Sequence, residues 1–242
     1  MSQNLEKIAE LYNVADDFDA ILVGYDFEVA KEYFFGRQFL ELGSATGEST
    51  LKLLQFAESI DVIEGSEKNI ETTKQKLGDQ IKVSVRYFHS LWEDYEYLHQ
   101  TYSDIIWFHG IEHIKNPQLL VQKIKKSLKP GGRIHVVTPN AFSLHRQAGV
   151  AMGMLQDVYE LNERDRMVGH CVVFDRDHLK SFFENNGFCI YAEEGIMIKP
   201  LPNAKMKELS KENPDLIHAY FLLGKVHKNI SAEMYFCVTL ND

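Results

Sequence analysis

Cysteine is scarce in this chain: Cys171, Cys189 and Cys237 are the only three in 242 residues. An odd, widely spaced set excludes a disulfide framework and a zinc knuckle, and it fits reduced thiols in the cytoplasm. Long apolar runs are missing too. No stretch reaches 18 apolar residues, so no membrane association is expected, and the N-terminus lacks the basic-then-apolar pattern of a leader. Positive charge is in deficit, with 26 Lys and Arg against 35 Asp and Glu and a formal net charge of −9. Without a basic stripe, nucleic acid is not expected as a partner. The densest basic stretch, Lys123-Ile124-Lys125-Lys126, falls in an amphipathic helical pattern and reads as a solvated face. Neither the 6 prolines nor the 15 glycines gather into a linker or a repeat. A hydrophobic content of 45% at this length suits one large domain with a substantial core.

What is present is an alternation of strand and helix patterns. Leu5, Ile8 and Leu11 give an amphipathic helix from Asn4 to Tyr12, and helical pattern continues between Ala15 and Phe35. Strands are expected near Phe39, from Ile60 to Ile63, from Ile81 to Phe88, from Ile105 to Phe108 and from Ile134 to Val137. Helices fall between them, from Leu51 to Phe56, Lys68 to Leu77 and Pro117 to Leu128, the last stopped by the breaker cluster Lys129-Pro130-Gly131-Gly132. After a helix from His178 to Asn185, runs at Phe188 to Tyr191 and Tyr235 to Leu240 complete seven strands, with an antiparallel pair at one edge. Alternation of this kind implies an α/β fold, a mostly parallel sheet with helices on both faces. Residues 1–36 read as a helical segment and 37–242 as the main domain, with insertions near 140–176 and 195–233. The first insertion leaves the fifth strand at the sheet end where ligands bind, and so reads as a substrate lid. The second contains helical patterns near Lys205–Leu209 and Leu216–Val226. If the edge pair is antiparallel it is expected to start at the opposite sheet end, and it reads equally well as peripheral packing or a homodimer surface.

The densest information lies in Phe39-Leu40-Glu41-Leu42-Gly43-Ser44-Ala45-Thr46-Gly47. An apolar strand ends in an acid, and a small-residue loop with two glycines leads into a helix, so backbone can approach a nucleotide-like ligand closely. The next apolar run ends in Glu64, followed by Gly65 and Ser66. An acid at that position suits the two hydroxyls of a ribose. A dinucleotide fingerprint needs a third glycine where Ser44, Ala45 and Thr46 stand, and no Lys-Ser/Thr pair follows as a mononucleotide phosphate loop requires. Glu41 would repel a phosphate and attract a cationic amine or sulfonium.

The segment Glu41-x-Gly43-x-x-x-Gly47 resembles motif I of the class I S-adenosylmethionine (SAM) methyltransferases. Downstream segments extend the resemblance over roughly residues 37–193. His109-Gly110-Ile111-Glu112-His113-Ile114 is similar to the Leu-Glu-His-Val segment of small-molecule methyltransferases, and Leu128-Lys129-Pro130-Gly131-Gly132 to the turn before their fifth strand. The resemblance implies a Rossmann-like fold with SAM as cofactor. It places Glu41, Gly43, Ser44, Ala45, Thr46, Gly47, Glu64, Gly65, Ser66 and His109 around the cofactor. His89, Ser90, Leu91 and Trp92 fall where related enzymes hold the adenine. The implied activity is methyl transfer to an oxygen or nitrogen of a small molecule of the sugar, quinone or natural-product type, as in ubiquinone-biosynthesis O-methyltransferases. The alternatives are a SAM-binding partner subunit without catalysis and a metal-assisted O-methyltransferase.

Transfer of a methyl group needs alignment above all, and a base only when the nucleophile must lose a proton. Histidine suits that role near neutral pH. His109, His113 and His170 are the candidate catalytic residues, with His145 a fourth. His109-x-x-Glu112-His113 followed by His170 is also similar to the Glu-x-x-Glu-His…His divalent-metal site of small-RNA 2′-O-methyltransferases, with His109 in place of the first Glu. That resemblance makes His109, Glu112, His113 and His170 one candidate metal set, and its nitrogen content favours Zn²⁺, Fe²⁺ or Mn²⁺.

Overall fold

The computed structural model describes residues 2–11, 13–78 and 82–241, so Tyr12 and Ile81 of the expected elements lie outside it. Seven strands form one sheet: β1 (Gln38–Leu42), β2 (Ser59–Glu64), β3 (Ser84–His89), β4 (Tyr102–Phe108), β5 (Leu128–Pro139), β6 (Phe188–Ile196) and β7 (Glu233–Leu240). Their order across the sheet is β3-β2-β1-β4-β5-β7-β6. Strands β1 to β5 pair in parallel, while β7 is antiparallel to both β5 and β6. The reversed strand therefore sits one place in from the edge, and β6, the edge itself, runs with β1 to β5.

That topology corrects one expectation. Because β6 points the same way as β5, the insertion after it leaves from the ligand-binding end of the sheet. Ile196 at the end of β6 pairs with Glu233, and Glu233 pairs with Pro139 at the end of β5. Both insertions thus meet over the carboxyl ends of the strands. Asn140 ties them together, donating from Nδ2 to the carbonyls of Asn229 and Ser231 at 3.0 Å each.

Ten helices are described: α1 (Ser2–Leu11), α2 (Asp19–Ala30), α3 (Glu48–Leu53), α4 (Glu67–Leu77), α5 (Pro117–Lys125), α6 (Leu144–Ala151), α7 (Glu163–Val168), α8 (Arg176–Asn185), α9 (Asn203–Glu212) and α10 (Pro214–Val226). No described helix is long and apolar enough to cross a membrane. Strand β4 is buried from Tyr102 to Trp107, as its unbroken apolar run requires of a central strand covered on both faces. One face carries a core of Leu40, Leu42, Trp107, Val136 and Phe236 with Leu120 of α5 and Phe183 of α8. On the other, Phe27 and Val23 of α2 pack on Phe39, Ile60 and Ile106.

Two boundaries differ from the sequence pattern. Helix α5 stops at Lys125, and β5 begins at Leu128, so Pro130-Gly131-Gly132 lies within the strand. A register shift against β4 between Tyr102 and Asp104 absorbs these residues, which is where a strand tolerates proline and a left-handed glycine (Gly131, φ +74).

Candidate active site

The glycine loop joins β1 to α3 and depends on backbone shape. Gly43 has φ +85, and a Cβ there would stand 2.9 Å from Cζ2 of Trp92. Gly47 has φ +83, and its Cβ would meet the Thr73 backbone at 3.1 Å. Only glycine satisfies both the left-handed angle and the lack of space. Gly43 N–H donates to the Ile63 carbonyl at 2.9 Å, which locks the loop to the end of β2.

Glu64 does more than end that strand. Its Oε2 accepts from the amides of Ser44 (3.0 Å) and Ala45 (3.1 Å), and its Oε1 accepts from the Ser66 amide at 2.9 Å. Burial raises its pKa, and these amide donors partly offset the rise. A carboxylate offers about four acceptor positions, so two are occupied by the loop, a third by Ser66, and a diol would share what remains. Glu64→Ala should therefore cost twice. Both the thermal stability and the affinity for SAM should fall by about 1–3 kcal/mol each, because buried amides lose their acceptor. Calorimetry and a melting curve read the two separately.

Glu41 is 1% exposed at the end of β1. Its Oε2 accepts from the Thr50 hydroxyl at 2.7 Å, whereas Oε1 has no hydrogen-bond partner. Burial pushes its pKa up to about 7, against the lowering effect of nearby hydroxyls. The folded chain then holds this proton more tightly than the unfolded one. Its own contribution to stability should be full below pH 4.5, fall as pH rises towards 7, and level off above it, a loss of about 3 kcal/mol. Denaturant titrations of the wild type and Glu41→Gln across pH 5 to 8 test this, and the variant should show no such slope.

The segment after β3 closes one side of the loop. Trp92 donates from Nε1 to the Ile63 carbonyl at 3.1 Å, and its ring faces both Gly43 and Gly110. It therefore spans the gap between the glycine loop and the end of β4. His89 is exposed and pairs through Nε2 with the Gly65 carbonyl at 3.2 Å, while Ser90 donates to Leu91 O at 2.9 Å. Leu91 and Leu5 of α1 both approach Gly65. Glu6 of α1 accepts from Ser66 Oγ and the Glu67 amide, at the N-terminus of α4.

At the end of β4 the candidate histidines separate. Glu112, His113 and His170 offer ligand atoms within 4.8 Å of one another, whereas His109 groups with Asp26 and Glu233. The four residues expected as one metal set thus form parts of two clusters. His109 is the last residue before Gly110, and its ring pairs with Asp26 of α2 at 2.8 Å. His145 is driven down to about 3 by burial, with Lys199 and Arg146 adding to the effect, which makes it a poor proton acceptor.

His170 is held from two sides. Its Nδ1 lies 3.3 Å from Asp165 Oδ1, and its Nε2 lies 3.9 Å from Glu112 Oε1, an oxygen with no hydrogen-bond partner. Asp165 is fixed in turn by the capping box with Asn162 and by Arg146 Nη1 at 2.9 Å. Burial would raise the Asp165 pKa, but hydrogen bonds from His170 and Arg146 hold it well below the usual range. Burial also lowers His113 against the raising effect of Glu112, so His113 is neutral near pH 7. The lid is already docked: the amides of Cys171 (2.7 Å) and Val172 (3.3 Å) donate to the Glu112 carbonyl.

Asp165, Asp26 and Glu233 were not singled out from the sequence. Asp165 carried a signal, since Asn162 with an acid three residues later is a capping pattern. Asp26 lies inside an apolar helix and Glu233 starts a buried strand, and only the tertiary contact shows that either faces His109.

A methyltransferase-domain model matches residues 19–193 of the chain, which therefore belongs to that family. No curated protein matches the sequence. Among solved structures, the chain resembles a SAM-dependent methyltransferase from Mesorhizobium loti (TM-score 0.61, 11% identity, 90% of this chain and 99% of that one). It also resembles a phosphoethanolamine N-methyltransferase of Haemonchus contortus in complex with S-adenosylhomocysteine (TM-score 0.63, 12% identity, 93% of this chain and 57% of that one). A third is the DhpI–SAM–HEP complex (TM-score 0.62, 13% identity, 98% and 96%). At these identities the structures share the fold. With the family model, they make this chain a class I SAM-dependent methyltransferase.

Proposed function

We propose that the chain transfers the methyl group of SAM to an oxygen or nitrogen of a small-molecule acceptor, with His170 as the base. The observation that carries this reading is the Asp165–His170–Glu112 arrangement, where the first insertion docks on the turn after β4. When bound, SAM supplies a methyl group made electrophilic by its sulfonium. Glu41 and Glu64 fit that cofactor: the free Glu41 Oε1 is a buried acceptor for a cationic group, and the glycine loop, packed on Trp92 and Thr73, presents Glu64 beside its amides.

Asp165 accepts from His170 Nδ1, which leaves Nε2 with its lone pair on the side of Glu112. An acceptor O–H or N–H placed against Nε2 gives its proton there as the new bond to carbon forms. Glu112 lies close enough to stabilise the imidazolium that results. Both insertions border the same sheet end, so the acceptor would be enclosed and water excluded. The net charge of −9 disfavours polyanionic acceptors and leaves small molecules.

The test is an S-adenosylhomocysteine release assay over panels of hydroxyl, amine and carboxyl acceptors, at pH 6 to 9. Turnover with a hydroxyl or amine acceptor is expected. Tight SAM binding without turnover on any panel would instead assign the chain to a non-catalytic, SAM-binding subunit.

A further inference from the structure

Away from the His170 cluster, α2, the end of β4 and the start of β7 bring three polar groups into the apolar interior. Asp26 is 0% exposed and Glu233 is 6% exposed. His109 stands between them, with Nε2 2.8 Å from Asp26 Oδ2 and Nδ1 3.9 Å from Glu233 Oε1. One ligand atom from each residue lies within 4.8 Å of the others. Two of the oxygens, Asp26 Oδ1 and Glu233 Oε2, are buried without a hydrogen-bond partner. A buried carboxylate oxygen left unsatisfied is costly, so a pair of them around one imidazole marks a place for a cation.

The backbone supports the same reading. His109 has φ +48, a left-handed angle that a non-glycine residue adopts only where surrounding contacts impose it. Its amide donates to the Val137 carbonyl at 2.8 Å, which fixes the turn and aims the ring at α2. The neighbouring ammonium of Lys199 is held by Asn203 Oδ1 at 2.7 Å and reaches neither free oxygen. An imidazole binds an ion through one nitrogen, and ligands at about 2.0–2.2 Å from one ion stand roughly 3–4 Å apart, so a modest closing of this cluster, whose ligand atoms lie within 4.8 Å of one another, would seat it.

We propose that Asp26, His109 and Glu233 form a binding site for a divalent transition metal. One imidazole and two carboxylates suit Mn²⁺, Fe²⁺ or Zn²⁺ better than Ca²⁺, which prefers a larger all-oxygen cage. Three protein ligands leave open positions on the ion. His109 is partly exposed, so the site is not sealed from solvent. The site requires nothing about which acceptor is methylated.

The test uses the whole chain stripped by chelation and dialysis, with Mn²⁺ or Co²⁺ alone as the probe. Calorimetry, Mn²⁺ paramagnetic resonance and the Co²⁺ visible spectrum should each report one ion per chain. Asp26→Asn and Glu233→Gln should each weaken binding by at least about 10-fold. Glu112→Gln and His113→Gln should leave it unchanged. Melting curves and circular dichroism show which variants are folded, and His109→Gln provides a third, milder variant should either carboxylate change unfold the chain. No ion bound to the stripped wild type overturns the proposal. So does binding that is lost only in the Glu112 and His113 variants, which would place the ion at the other cluster.

Discussion

Gly43→Val should abolish SAM binding, the largest single effect expected in this chain. A β-branched side chain at φ +85 meets the left-handed penalty of roughly 1–2 kcal/mol, and its Cβ would lie 2.9 Å from the Trp92 ring. Trp92 cannot withdraw freely, because its Nε1 is bonded to the Ile63 carbonyl and its ring also contacts Gly110. The loop must therefore move, and with it the amides of Ser44 and Ala45 that Glu64 holds. An affinity at least about 100-fold weaker by calorimetry is expected. Gly43→Ala with Trp92→Ala separates the causes: relief of the contact should recover part of the affinity, and the backbone strain should withhold the rest. Undiminished binding by Gly43→Val would mean that the cofactor does not approach this loop.

His170→Ala carries the second large effect. With His170 as the proposed base, turnover should fall about 10²–10⁴-fold while SAM affinity is unchanged. Asp165→Asn is expected to do something different. It removes one partner of the buried Arg146 pair (2.9 Å), so it should cost about 3–5 kcal/mol of stability and also disturb the orientation of His170. If His170→Ala retains full kcat, the proton goes elsewhere and His113 becomes the next candidate.

Much of the geometry around the glycine loop was legible in the residues alone. Glu41, Gly43, Gly47 and Glu64 are close in sequence, and each acts through a short loop whose geometry glycine positions reveal. The β4 run from Ile105 to Trp107 read as a central strand because an unbroken apolar stretch has no solvent face to serve. The Lys-Pro-Gly-Gly segment was misleading for the same local reason: residues that break a helix are also those that a bulged strand admits. The direction of β6 was not legible, since a strand's pattern does not say which way it runs, and so the second insertion was placed at the wrong end of the sheet.

The acceptor side divides along the same line. The spacing of His109, Glu112 and His113 was plain, but residues three or four apart share a face only if a regular helix carries them. Here a left-handed turn at His109 and a short 3-10 turn at Ile111–His113 send the rings apart. The sequence by itself determined the alternating strand–helix architecture, the family and the glycine loop, because periodicity and turn chemistry are local properties. Tertiary structure alone decided that His170 meets Glu112, and that His109 meets Asp26 and Glu233. Those contacts join residues far apart in the chain through sheet order and strand direction, which no local pattern encodes.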